Sequence, residues 1–243
     1  MLLPKEADMP SDRKAVFDPR DIDPFYTEMI RGFRAKVEYQ IDATGLRILG
    51  LTSAVAGEGK TKTAIHLAVN MASTGRKKVL LMDLDLRKSD IASEMRIGAS
   101  PGLSEYLMGA VSREEILRIT SIRGLFLIPA GKPVHSPVDM LAGEKFRSLL
   151  KELRGHFDLL ILDTPPILPV PDAITISEQL DAFILVFRLS FTPYKMLRQA
   201  VEELGTEKIL GVVLNGDEKK SDKYYSRYYG SYYKPSDNEK KPL

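Results

Sequence analysis

The sequence predicts an α/β fold built on a doubly wound, mostly parallel sheet. The first observation is that continuous apolar runs alternate with helical patterns along most of the 243 residues. Such runs are typical of strands buried on both faces, as in a parallel sheet covered by helices. The second is a glycine-rich turn that joins the first apolar run to an amphipathic segment. The length suits one α/β domain with tails.

The apolar runs predict six strands, and the helical patterns lie between them. The expected strands cover residues 48–51, 79–84, 125–129, 159–162, 182–189 and 209–214. The expected helices cover residues 24–41, 62–73, 103–108 with 113–118, 140–153, 172–178 and 193–204. Because strands and helices alternate, a parallel doubly wound sheet is the economical arrangement.

The folded domain is expected to span residues 24–216, with helix 24–41 at its start. Residues 1–23 are rich in proline and charge and are expected to form a flexible arm. Residues 217–243 are charged, contain almost no aliphatic side chain, and are expected to form a disordered tail. Six tyrosines stand in pairs in this tail: Tyr224, Tyr225, Tyr228, Tyr229, Tyr232 and Tyr233.

Composition excludes several classes of protein. The chain has no cysteine, which excludes disulfides and cysteine-bound metals and suits a reducing cytosol. A net charge of +2 predicts no strong general affinity for nucleic acid. No apolar run is long enough to span a bilayer, so we expect a cytoplasmic protein that reaches the membrane only through a partner.

The glycine-rich turn has the pattern of a phosphate-binding loop. Gly57 and Gly59 allow the backbone to approach an anion, and the helix that follows offers unpaired N–H groups. Lys60 is expected to reach the β- and γ-phosphates and Thr61 to ligate Mg²⁺. Ala54 replaces the usual first glycine of the pattern. The expected nucleotide-binding residues are Ala56, Gly57, Glu58, Gly59, Lys60, Thr61 and Lys62.

Acidic residues emerge where two of the expected strands end. Asp83 and Asp85 follow one strand and Asp163 follows another. The carboxyl ends of parallel strands meet at one edge of a sheet, so these groups are expected beside the loop. We expect Asp163 to hold Mg²⁺, and Asp83, supported by Asp85, to accept or position the proton of an attacking hydroxyl. Taken singly, each aspartate is equally typical of a helix cap or a turn.

These motifs together resemble the bacterial tyrosine kinases, the P-loop class found with capsule and exopolysaccharide export. The loop 54–61 resembles that family's Walker A motif, D-x-D-x-R at Asp83, Asp85 and Arg87 its second acidic motif, and D-T-P-P from Asp163 its Walker B motif. The spacing E-x-x-R-x-x-R resembles the helix through which these kinases pack into rings. Its residues here are Glu28, Arg31 and Arg34, which on pattern alone would suit an ion-paired helix surface.

The resemblance implies a fold of the MinD- and ParA-like branch of P-loop NTPases and an ATP- and Mg²⁺-dependent tyrosine autokinase. It implies catalytic roles for Lys60, Asp83, Asp85 and Asp163, metal ligands Thr61, Asp83 and Asp163, and a base contact from Asn215. Arg87 supports either the acidic motif or the interface, and the sequence leaves both open. The six tail tyrosines become phosphate acceptors in a neighbouring subunit.

The resemblance also implies partners: further copies in a ring, a separate transmembrane activator or polysaccharide co-polymerase, and a tyrosine phosphatase. Two other functions are compatible with the same motifs. One is a MinD- or ParA-like partitioning ATPase that acts as a nucleotide-switched dimer, although the second lysine usual near the start of that loop is missing at Ala54–Ala56. The other is a regulatory adaptor without catalysis, against which the intact Lys60, Asp83 and Asp163 argue.

Overall fold

The computed structural model describes residues 24–216, with side chains from residue 26 onward. Its strands are β1 (Ile48–Ser53), β2 (Val79–Asp83), β3 (Arg118–Ile119), β4 (Leu125–Ile128), β5 (Leu159–Asp163), β6 (Ala182–Arg188) and β7 (Ile209–Asn215). Its helices are α1 (Pro24–Thr44), α2 (Lys60–Ala72), α3 (Ile91–Glu94), α4 (Leu103–Leu107), α5 (Arg113–Ile116), α6 (Pro137–Ala142), α7 (Glu144–Arg154), α8 (Asp172–Ile176) and α9 (Tyr194–Leu204).

The seven strands form one sheet in the order β3-β4-β2-β5-β1-β6-β7. Every neighbouring pair is parallel except β3 and β4, so the predicted mostly parallel sheet is confirmed. After β1 the chain builds β2 and β4 on one side and later β6 and β7 on the other. This change of direction puts a ligand-binding crevice at the carboxyl ends of the central strands.

Helices cover both faces of the sheet because successive strand side chains point to opposite sides. Val79 and Leu81 of β2 join the core formed with α1, α2 and α3. Leu80 and Met82 join the core formed with the other six helices. Strands β1, β2 and β5 are buried along their whole length, which explains why their sequences read as unbroken apolar runs.

Two predicted helices needed correction, and two short elements, α3 and β3, were not predicted. The helix expected over residues 140–153 is two helices, because Gly143 between α6 and α7 has an extended backbone with ψ 156°. The helix expected over 113–118 ends at Ile116, and Arg118–Ile119 pairs with β4 instead as an antiparallel edge strand. The other strands lie within two residues of their expected bounds.

None of the helices within residues 24–216 has both the length and the apolar character that crossing a membrane requires.

Candidate active site

The phosphate loop lies between β1 and α2 at the carboxyl edge of the sheet. Gly57 and Gly59 have φ of +85° and +90°, a backbone region that side chains disfavour. A Cβ on Gly59 would lie 2.2 Å from the amide nitrogen of Asn215, so only glycine fits there. Ala54 replaces the usual first glycine without strain, because its φ is not positive.

The loop offers a row of unused hydrogen-bond donors. Among the described residues, no acceptor takes the backbone N–H groups of residues 57–62, and the first helical bond of this region joins Thr63 N–H to the Gly59 carbonyl. These N–H groups and the positive end of the α2 dipole are the arrangement that binds phosphate. The sequence predicted this geometry from the spacing of the glycines and Lys60.

The predicted acidic residues do come together beside Lys60. Asp83 and Asp163 end adjacent strands and are direct neighbours in the β2–β5 register. The Lys60 ammonium lies 3.5 Å from Asp85 Oδ2 and 3.5 Å from Asp163 Oδ1. Three buried carboxylates therefore face one buried ammonium, an arrangement with excess negative charge.

The two strand-end aspartates differ in how their oxygens are used. Asp83 accepts hydrogen bonds from Asp85 N–H at 3.0 Å, Ser89 Oγ at 2.8 Å and Ile91 N–H at 3.3 Å. Neither buried oxygen of Asp163 has a hydrogen bond of good geometry among the described residues, and the Lys60 ammonium lies 3.5 Å from Oδ1. A buried carboxylate without well-placed donors is costly unless a cation neutralises it, so Asp163 fits a Mg²⁺ ligand better than Asp83 does.

Burial and like charge perturb the ionisation of these groups. Burial and the negative charge of Asp163 raise the pKa of Asp83 to about 7. Burial also raises the pKa of Asp163, while the nearby Lys60 ammonium and Thr61 hydroxyl oppose the rise. Burial lowers the pKa of Lys60, but Asp163, Asp85 and Asp83 outweigh it, so this pKa lies above its ordinary value. Such shifts are common at catalytic sites.

Three of the predicted nucleotide-binding residues direct their side chains elsewhere. Lys62 lies 3.8 Å from Glu94 of α3, so its backbone N–H is what remains for phosphate. The Glu58 carboxylate is fully buried beneath the loop. Asn215 donates its amide N–H to the Glu58 carbonyl at 2.8 Å, and its Oδ1 accepts Gly216 N–H. Its base contact therefore stays a prediction, while its contact with the loop is direct.

Arg87, whose role the sequence left open, pairs with Asp172, an acidic residue outside the motif. Its Nε donates to Asp172 Oδ2 at 3.1 Å, and its Nη2 to Asp172 Oδ1 at 3.4 Å. Asp172 is 1% exposed at the start of α8 and was not predicted as a site residue. The pair joins the segment after β2 to the segment after β5. No local signal marked Asp172, because its partner lies 85 residues away.

The predicted interface residues lie on α1, away from the loop. Arg31 pairs with Glu28 at 3.5 Å, as expected for an ion-paired helix surface. Arg34 pairs instead with Glu38, at 4.0 Å. The Nε of Arg34 is buried and accepted by no described residue. Arg34 lines a cavity of about 270 Å³ between α1 and α2. The tail tyrosines lie outside the described residues.

A glycine-rich phosphate loop, an adjacent lysine and aspartates at two strand ends define a P-loop nucleotide-binding protein. The family model described as the AAA domain matches residues 46–201. The tyrosine-protein kinase YwqD of Bacillus subtilis is 32% identical over 219 residues, which is 89% of this chain and 90% of the relative. The chain belongs to the family of bacterial tyrosine-protein kinases.

Other similarities agree with this family. The chain is 29% identical to the tyrosine-protein kinase Ptk of Acinetobacter johnsonii, matching 84% of this chain but only 28% of that longer relative. The kinase domain of the Escherichia coli tyrosine kinase ETK superposes with a TM-score of 0.74 at 30% identity, covering 78% of this chain and 74% of that one.

The wider fold is shared with a septum site-determining protein. The septum site-determining protein MinD of Pyrococcus horikoshii, solved with Mg-ADP, matches with a TM-score of 0.58 at 21% identity, covering 69% of this chain and 68% of that one. The predicted relation to the MinD-like branch is thereby confirmed for the fold alone.

Proposed function

We propose that this protein is an ATP- and Mg²⁺-dependent autokinase that phosphorylates tyrosines in the C-terminal segment of a neighbouring subunit. The observation that carries the proposal is the convergence of Lys60, Asp83 and the orphaned Asp163 behind an open phosphate loop. A family of tyrosine-protein kinases supplies the reaction class.

The chemistry assigned to these residues is phosphoryl transfer. The phenolic oxygen of a tyrosine attacks the γ-phosphorus of ATP, the bond between that phosphorus and the β–γ bridging oxygen breaks, and ADP leaves. Asp83 accepts the phenolic proton or positions the hydroxyl, and Asp85 supports it through its backbone hydrogen bond. Loop N–H groups and Lys60 stabilise the charge that develops on the phosphate oxygens.

Thr61 and Asp163 are the residues that would hold Mg²⁺, with Asp83 as the further ligand that the resemblance implies. The pair of unsatisfied Asp163 oxygens supports this assignment. Mg²⁺ in kinases usually takes one or two carboxylates plus substrate phosphates, and it then neutralises charge on the β- and γ-oxygens.

The proposed assembly is a ring of identical subunits that contact one another through Glu28, Arg31 and Arg34. The Nε of Arg34 is buried and has no hydrogen-bond acceptor among the described residues. This supports an acceptor from a neighbouring subunit that enters the cavity between α1 and α2. We further propose that the protein acts in the cytoplasm in capsule or exopolysaccharide synthesis. A transmembrane activator would recruit it to the membrane and a tyrosine phosphatase would reverse its modification.

The experiment is intact-mass measurement of the purified protein before and after ATP with Mg²⁺. The kinase proposal expects added phosphate that maps to Tyr224–Tyr233. The Lys60→Met variant should gain none, and the matched control Lys151→Met, which changes an exposed lysine of α7, should behave as the wild type. ATP hydrolysis without any phosphotyrosine, even with a candidate membrane activator present, would favour the MinD-like switch instead.

A further inference from the structure

Glu58 is the one acidic residue of the phosphate loop, and its side chain points away from the phosphate cradle. The residue is 0% exposed. Its Oε2 accepts the backbone N–H of Val55 at 2.8 Å, within the loop itself. Its Oε1 accepts two donors, one from the last residue of β6 and one from the segment after it: Arg188 N–H at 3.1 Å and Thr192 Oγ1 at 2.6 Å. A single carboxylate thus ties both arms of the loop to the segment between β6 and α9.

Two more contacts hold the same loop from the same side. Arg188 Nη1 donates to the Gly57 carbonyl at 3.2 Å, and Asn215 Nδ2 donates to the Glu58 carbonyl at 2.8 Å. We call Glu58, Arg188, Thr192 and Asn215 the loop clasp. The clasp engages carbonyls and the Glu58 carboxylate, which leaves the loop N–H groups turned toward the cradle.

The energetics favour a positioning role for this carboxylate. Burying a carboxylate is strongly unfavourable unless donors replace its water, and three donors do so here. A negative charge inside an anion-binding loop also opposes the ligand, so it is hard to explain as a direct phosphate contact. The hydrogen bonds of the Glu58 carboxylate are instead suited to preorganising the loop. N–H groups that are held in place before binding lose less entropy when phosphate binds.

We propose that Glu58 is a positioning residue that holds the phosphate loop in its binding conformation and couples it to the segment Arg188–Thr192. The exposed face of that segment includes Phe191, which is 53% exposed and packs over Gly57. A change in the position of this segment therefore changes the alignment of the phosphate cradle. The inference rests on the proposed nucleotide-binding function but not on transfer to tyrosine.

The test is calorimetric titration of the full chain with ADP and Mg²⁺. Glu58→Gln replaces one accepting oxygen by an NH₂ group, so either Val55 or the Arg188 and Thr192 donors lose their acceptor. Thr192→Val removes one donor from the other side. We expect the Kd for ADP to rise about tenfold in each variant, the size of one lost hydrogen bond. The double variant should lose less than the product of the two effects, because both break the same contact.

Steady-state kinetics add a reading that a merely structural role would not change. The KM for ATP should rise with the Kd and kcat/KM should fall, because misaligned N–H groups bind phosphate less well in both the ground state and the transition state. The matched control is Glu105→Gln, which alters another buried carboxylate that accepts hydrogen bonds from Gly102 N–H at the start of its own helix, α4, and from Lys132 N–H. It should lower thermal stability and leave the Kd for ADP unchanged.

The inference is overturned if Glu58→Gln loses stability but binds ADP with the wild-type Kd, or if Glu105→Gln weakens ADP equally. If Glu58→Gln does not fold, Thr192→Val alone decides between the same outcomes. ADP binding is measured directly, so the two proposals can fail separately. If the Glu58→Gln and Thr192→Val variants bind ADP more weakly but the wild type phosphorylates no tyrosine, the kinase proposal is contradicted and this inference stands.

Discussion

Lys60 and Asp163 lie in a buried cluster with more negative than positive charge. Asp163 is 1% exposed and faces Asp83 on the adjacent strand, and Lys60 is the ammonium within ion-pair distance of it. The same ammonium is shared with Asp85, so the buried negative charge exceeds the positive charge, an arrangement that costs stability and is typical of functional sites. A substitution of Asp163 should therefore affect activity and stability in opposite directions, which makes it an informative test.

Asp163→Asn should abolish activity without destabilising the protein. The substitution removes one of three carboxylates grouped around a single ammonium and relieves the repulsion with Asp83, while Lys60 keeps its ion pair with Asp85. Phosphoryl transfer should fall by about 10²-fold or more, as when a group that stabilises transition-state charge is removed. Thermal unfolding without nucleotide should occur at the wild-type temperature or above it. A variant that retains activity, or that melts well below the wild type, would contradict the assigned role.

Glu105 offers a test of pH-dependent stability away from the active site. Burial raises its pKa, but hydrogen bonds from Ser100, Gly102 N–H and Ser104 outweigh burial and lower the pKa from 4.5 to about 2. A depressed carboxyl pKa contributes stability that is complete above the unfolded value of 4.5 and is lost as pH falls toward 2.

The free energy of unfolding of wild type minus that of Glu105→Gln should therefore be largest near pH 6 and shrink between pH 4.5 and 2. Urea unfolding at several pH values measures it. A difference that stays constant over this range would show that the ionised carboxylate is not what stabilises this loop.

The sequence was enough to predict the site residues at strand ends. It was not enough to predict residues whose hydrogen-bond partners are far away in the sequence. Asp83 and Asp163 were predictable because each is the first charged residue after an apolar run, and such a run predicts where a buried strand ends. Asp172 and the clasp role of Glu58 were not, because their partners lie 85 and more than 100 residues away. Pairing over such distances depends on the sheet order, which local patterns do not contain.

At the scale of elements, the phosphate loop depends on its neighbours as much as on its own glycines. It joins β1 to α2, and β6, β7 and the segment after β6 contact it from one side. The elements themselves were largely predictable from apolar runs. The exceptions were the two-residue strand β3, too short to leave a pattern, and the break at Gly143 within an otherwise continuous helical pattern.

Gly59→Ala should damage the loop through backbone strain. A side chain at φ +90° is disfavoured by roughly 1–2 kcal/mol, and the new Cβ would lie 2.2 Å from the Asn215 amide. We expect ADP affinity to fall at least about tenfold, as that strain implies. The matched control is Gly211→Ala in β7, where no atom lies within 4 Å of the new Cβ. Equal ADP affinities in the two variants would contradict the account of the loop.

At the scale of the whole molecule, the site and the proposed interface occupy different regions of one sheet-based domain. The helix α1 packs on α2, whose amino end completes the phosphate loop, so α2 connects the proposed interface to the loop. The sequence of one chain does not determine whether copies of the chain assemble through α1. The spacing of Glu28, Arg31 and Arg34 indicates only a shared helix face.

Arg34→Ala should reduce the size of the assembly if α1 forms the contact between subunits. Removing the guanidinium leaves the cavity between α1 and α2 without the cation proposed to receive a partner group. Light scattering during size-exclusion chromatography measures the mass. Arg147→Ala is the matched control, since Arg147 is exposed and, within residues 26–216, its guanidinium pairs with Glu144 of the same helix. A mass unchanged by Arg34→Ala would exclude this helix face as the interface.

The most direct measurement of the central claim is phosphate transfer between two distinguishable variants. One is Lys60→Met with its tail tyrosines intact, and the other has an intact site with all six tail tyrosines changed to phenylalanine. Neither variant alone should gain tail phosphate from ATP and Mg²⁺. Mixed, they should yield phosphotyrosine on the Lys60→Met chain, as a neighbour's site requires. A mixture without phosphotyrosine on that chain would contradict transfer between subunits, and its absence from the wild type as well would contradict the kinase itself.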